Sequence, residues 1–146
     1  MSENWRNPAR GKAFQQAAAR ILSRHFGTEF EMECPIEIGD PPKEHRFDLV
    51  SRDGRYVAEC KSHTWTKSGN VPSAKMGFCN QAVLYLSFLP KTVCRLIVMR
   101  RDVHPGRDES LAEYYYRTYR YLLRGVLVVE LDVGSEEVTE LGREKT

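Results

Sequence analysis

Apolar positions along the chain change their spacing several times, and each change marks an element. Phe14, Ala17, Ala18, Ile21, Leu22 and Phe26 recur every three or four residues, the repeat of a helix with one buried stripe. Asn7-Pro8 suits an N-cap followed by proline at the first helical position, and Gly27 suits the close. The pattern predicts a helix over residues 8–26. Residues 29–38 then alternate acidic and apolar up to Pro35, which predicts a strand that is irregular or lies at an edge. Gly39-Asp40-Pro41-Pro42 is a turn. Residues 45–51 and 56–61 read as two further strands joined by Arg52-Asp53-Gly54-Arg55. Asp-Gly tolerates the positive φ of a type I′ hairpin turn.

Downstream, the polar loop 62–73 leads into a second helix over about 74–89, with Ser73 as its expected cap. Residues 93–99 are almost continuously apolar, the mark of a strand covered on both faces. His104-Pro105-Gly106 breaks the chain, and Asp108 is the expected cap of a third helix running to about Arg124. Arginines and tyrosines alternate there, which fits either a phosphate-and-base platform or an ordinary packed stripe through Leu111, Tyr115, Thr118, Tyr119 and Leu122. Residues 126–131 form a fifth strand. The charged tail, 132–146, is expected to fray. The order α-β-β-β-α-β-α-β predicts one α/β domain over residues 1–146, with its core at about 8–131. The expected architecture is a mixed five-stranded sheet flanked by helices.

Composition adds a few constraints. A chain of 146 residues suits one core, and 41% hydrophobic with 29% charged residues is ordinary for a soluble domain. No run approaches the ~20 apolar residues of a membrane helix. MSENWRNPARGK has no apolar signal core, so a soluble, cytoplasmic protein is expected. Cys34, Cys60, Cys79 and Cys94 form no CxxC pair, and His25, His45, His63 and His104 show no ligand spacing. Reduced thiols and no zinc are therefore expected. Net charge is +2, but residues 130–146 hold two basic and six acidic side chains. The remainder, with 20 basic and 14 acidic, carries +6, a balance compatible with nucleic-acid binding and equally with ordinary surface variation.

The hairpin brings the chemistry. With Asp53-Gly54 as a two-residue loop, Leu49 opposes Ala58 and Asp48 opposes Glu59. Directly opposed side chains have Cβ atoms about 4.5–5.5 Å apart, so two carboxylates repel unless something offsets them. A divalent cation would, since Mg²⁺ prefers carboxylate oxygens. Alternation puts Lys61 on the same face as Glu59. Two acids and an amine on one patch suit phosphodiester hydrolysis. From spacing alone they also suit a surface salt-bridge cluster, but Phe47, Leu49, Val57 and Ala58 make the hairpin apolar, where charges need a reason.

Asp48, a short hairpin and Glu59-Cys60-Lys61, together with this order of elements over roughly residues 8–100, resemble the PD-(D/E)xK nuclease superfamily, whose fold is restriction-endonuclease-like. The resemblance implies that Asp48, Glu59 and the backbone carbonyl of Cys60 bind Mg²⁺, with Mn²⁺ as substitute, and that Lys61 is the catalytic lysine. Gln81-Ala82-Val83-Leu84-Tyr85 has the form of the Gln-x-x-x-Tyr motif of some branches, which adds Gln81 as catalytic and Tyr85 as accessory. Phe47 stands where the motif has proline. Many members carry a metal-holding Glu on the first helix; here there are only Gln15 and Gln16, with Gln16 the expected stand-in. Ser62, His63, Trp65, Lys67 and Asn70 follow Lys61 and are candidates for gripping nucleic acid, against the alternative of a solvated loop with Trp65 packed inward. The implied function is a Mg²⁺-dependent nuclease, more an endonuclease than an exonuclease, acting on DNA as a homodimer. The alternative is a catalytically weak or inactive module that binds nucleic acid or a protein partner.

Overall fold

The stripe Phe14, Ala18, Ile21 and Leu22 is buried, and it seats helix α1 (Pro8–Phe26) on one face of the sheet. The computed structural model describes residues 8–143, so the expected Asn7 cap lies outside them. Strands β1 (Phe30–Ile38), β2 (Lys43–Ser51) and β3 (Tyr56–Lys61) follow. Then come α2 (Ser73–Ser87), β4 (Cys94–Arg100), α3 (Leu111–Tyr119), β5 (Leu127–Leu131) and β6 (Val138–Leu141). The sheet order is β1-β2-β3-β4-β5-β6. The β3/β4 and β4/β5 pairs are parallel and the others antiparallel. No helix among the described residues is long and apolar enough to cross a membrane.

The continuous apolar run at β4 is explained by two separate cores. Leu96 and Val98 pack under α1, whereas Ile97 and Met99 pack under α2 and α3. Strand alternation therefore feeds both faces, and neither tolerates polar side chains. Tyr115 of α3 is fully buried, and its hydroxyl donates to Asn80 Oδ1 at 2.8 Å. The tyrosines of this helix belong mainly to a packed stripe. Cys34, Cys60, Cys79 and Cys94 are free thiols.

Several boundaries differ from expectation. The hairpin turn is not type I′, because Gly54 has φ +74° while Asp53 does not reach positive φ. Ser51 C=O instead accepts from Gly54 N–H, and the Ser51 hydroxyl accepts from Tyr56 N–H. The loop widens, yet Leu49 still faces Ala58 and Val50 faces Val57. Helix α2 starts at Ser73 with Pro72 as its cap and no side-chain cap. Ser110, not Asp108, caps α3 in a capping box with Glu113, and its hydroxyl also holds the buried Glu130 carboxylate. That helix ends at Tyr119 and passes into a single 3₁₀ turn, Arg120–Leu122.

The largest correction concerns the tail. Residues 138–141 do not fray but add β6 beyond β5, making six strands. Val138 packs on the α1 core and Leu141 on the opposite one. Glu136 pairs with Arg20 and Arg24, and Glu140 with His25 and Arg143. The acidic tail thus neutralises a basic flank of α1, and the charge separation read along the chain is partly cancelled in space. A chain ending at Asp132 is predicted to lose roughly 2 kcal/mol of stability from the apolar area of Val138 and Leu141, with its β5 edge uncovered. Urea unfolding measures this; an unchanged midpoint contradicts it.

Candidate active site

Strands β2 and β3 stop exchanging backbone hydrogen bonds where the two acids meet. Beyond Leu49 and Ala58, carboxylates replace carbonyls as acceptors. Cys60 N–H donates to Asp48 Oδ2 at 2.7 Å, and Asp48 N–H donates to Glu59 Oε2 at 3.1 Å. A buried amide needs an acceptor, and here each acid satisfies an amide of the opposite strand. On the other side, the β1/β2 ladder skips from Met32–Leu49 to Cys34–Phe47, with Glu33 at φ +56°. Gln15 of α1 fills the gap, its Nε2 donating to Asp48 C=O at 3.0 Å. Alternation breaks at the same point. Leu49 packs under α1, but Phe47, two residues earlier, packs under α2 and α3.

Glu59 is 5% exposed and Asp48 half-buried. Burial pushes the Asp48 carboxyl up; the amide of Cys60 and the charges of Lys61 and His45 offset part of the rise. Burial raises Glu59 as well, and the negative charge of Asp48 adds to it. For both groups ionisation is therefore less favourable than in water, and a nearby cation would offset that cost.

His45 completes the arrangement. Its Nε2 lies 3.1 Å from Glu59 Oε1, and its ring stacks on Tyr85 with centroids 3.9 Å apart at 16°. The edge of the ring meets Phe47. Gln81 Nε2 reaches the Tyr85 hydroxyl at 3.4 Å, a long contact. The Gln81/Tyr85 pair thus leads to Glu59 through a histidine that sequence reasoning passed over. Regular alternation places residues 45 and 48 on opposite faces. The break beside Asp48 brings His45 to the acids, and no spacing rule reports it.

The remaining candidates divide. Gln16 is exposed on the outer flank of α1, near Arg20 and Glu29, so it cannot stand in at the site; Gln15 faces Asp48 instead. The signal was present, since Gln15, Ala18 and Leu22 share the buried stripe and Gln16 is a further 100° round. Ser62 and His63 are half-buried beside Lys61. Burial and the charges of Lys61 and Lys75 push His63 down to about 4, so it is neutral at pH 7 and offers no cationic grip. Trp65 is 4% exposed, packed edge-on to Tyr114 and under the Arg107 guanidinium, so it cannot stack on a base. The loop is pinned from the far side. Asp102 accepts from Trp65 N–H, His104 Nε2 bonds Lys67 C=O, and Arg107 donates to Gly69 C=O. Of the five loop candidates, only Lys67 and Asn70 are exposed.

Among the described residues, no group of three or more His, Cys, Asp and Glu side chains is arranged to hold a metal ion. Mg²⁺ asks for less, commonly one or two carboxylates with several waters. The Asp48–Glu59 pair fits that demand, with the Cys60 carbonyl next to Glu59 in sequence. No protein-family model matches this chain, and no curated protein is similar enough in sequence to count as a relative.

The raised carboxyls give a stability prediction. When a folded-state pKa lies above the unfolded one, the stabilisation is full below the unfolded value, near 4. It is lost as pH rises through the folded value. Asp48→Asn keeps an oxygen for the Cys60 amide and removes one charge. Without divalent metal the variant should be more stable than the parent at pH 7.5, and the difference should vanish near pH 4. Urea unfolding at the two pH values measures it. A variant less stable at pH 7.5 contradicts a strained pair.

Proposed function

We propose that this chain is a Mg²⁺-dependent nuclease of the PD-(D/E)xK type, hydrolysing phosphodiester bonds in DNA, and that it acts as a homodimer. The observation that supports this best is the pair of acids, half-buried Asp48 and buried Glu59, interlocked across two strands with both carboxyls pushed up. Such a pair is costly on its own and favourable with a cation between its members.

Asp48, Glu59 and the carbonyl of Cys60 would hold the metal, with Mn²⁺ as substitute. Bound there, the ion supplies a polarised phosphate oxygen and an acidified water. Lys61 lies near enough to Asp48 for its charge to draw that carboxyl downward. Its ammonium would orient the attacking water or balance charge growing on the phosphate. Gln15 fixes the backbone of Asp48 from α1, replacing a carboxylate with a neutral brace. Lys67 and Asn70 are the exposed loop side chains that would meet a phosphate backbone. The second reading is a module that binds nucleic acid or a protein partner with little or no cutting. The neutral Gln15 standing against Asp48 on α1, where many members of that superfamily carry a metal-holding Glu, favours it.

Purified protein incubated with linear, circular and single-stranded DNA separates the two. A nuclease should cut, circular DNA included, with Mg²⁺ or Mn²⁺ but not with EDTA. Asp48→Ala and Lys61→Ala should each lower the rate roughly 100-fold or more. Binding without cutting, indifferent to both substitutions, supports the module.

A further inference from the structure

We propose that His45 is a positioning residue for Glu59, and that Tyr85 and Gln81 act on the site through it rather than by touching substrate. The proposal rests on the metal-binding reading above. An ionised Glu59 can only accept a hydrogen bond, so Nε2 of His45 must carry the hydrogen between them. That bond engages Oε1, while the Asp48 amide engages Oε2. With both oxygens held, the carboxylate has one rotamer and one plane, and each oxygen keeps a free lone pair for a cation. Fixing a carboxylate ligand by outer hydrogen bonds is a general means of setting metal affinity.

The histidine itself has little freedom. Its ring lies flat on Tyr85 and edge-on to Phe47, which is fully buried. Tyr85 stands on α2 and His45 on β2, so the stack ties the helix to the strand at the acids. Gln81, one helical turn before Tyr85, meets the phenol hydroxyl. Gln81 is exposed and Tyr85 half-buried, so the chain runs from the surface of α2 to a carboxylate that is 5% exposed. A merely structural stack would not need the bond from imidazole to carboxylate. The geometry provides both.

The test titrates Mn²⁺ into metal-free protein by calorimetry, alongside thermal unfolding. Three variants are compared with the parent, namely His45→Ala, His45→Gln and Tyr85→Leu. His45→Ala should weaken Mn²⁺ binding about tenfold at a small change in unfolding temperature. His45→Gln, which keeps an N–H donor at similar reach, should recover most of that loss. Tyr85→Leu removes the stack and should weaken binding in the same direction. If the parent binds Mn²⁺ and His45→Gln binds no better than His45→Ala, the proposal is overturned while the metal site stands. A His45→Ala variant that binds Mn²⁺ as tightly as the parent overturns it equally. A parent that binds no Mn²⁺ overturns the metal site and this proposal together. Should His45→Ala fail to fold, His45→Leu, which fills the space without a donor, takes its place against His45→Gln, and equal Mn²⁺ affinities for these two overturn the proposal.

Discussion

Two main-chain amides in the middle of the sheet are held by side-chain carboxylates instead of carbonyls, and much of the local geometry follows from that exchange. Because Asp48 and Glu59 occupy the gap between β2 and β3, the strands part there. Because β2 departs from regular pleating, Phe47 and Leu49 go to different cores. The same departure brings His45 beside Glu59 and leaves Asp48 C=O for Gln15. A sheet pays for such a defect in lost ladder bonds and in two crowded, poorly solvated charges. The surrounding packing is extensive enough to hold it, with α1 on one face and α2 and α3 on the other.

Much of this was legible in the chain. The stripe of α1, the continuous run of β4 and the Asp53-Gly54 turn each reflect one local rule, and local rules survive folding. The register followed from the hairpin although the turn type did not. Ser51 supplied a hydroxyl where a backbone acceptor was expected, and the loop widened symmetrically, so Leu49 kept its partner. The pairing of Asp48 with Glu59 could therefore be read from the order of residues alone.

What was not legible depended on partners distant in sequence. Residues 132–141 look like a solvated tail because their acids seem unpaired. The arginines that meet Glu136 lie on α1, more than a hundred residues away. Trp65 looked available for stacking because nothing near it in sequence covers it; Arg107 and Tyr114 do. Ser110 is a different case: it caps α3 in place of Asp108 through a capping box with Glu113, a local signal, and its hydroxyl also answers the buried Glu130. His45 was hidden for a related reason. Its role exists only because the pleat fails beside Asp48, and pattern rules assume that it does not.

Anomalous diffraction from crystals grown with Mn²⁺ bears most directly on whether the two acids share a cation. One strong peak should bridge Asp48 and Glu59, at about 2.0–2.3 Å from an oxygen of each. A crystal whose Mn²⁺ peaks lie elsewhere, with the two carboxylates still bonded only to the facing amides, would show that they do not.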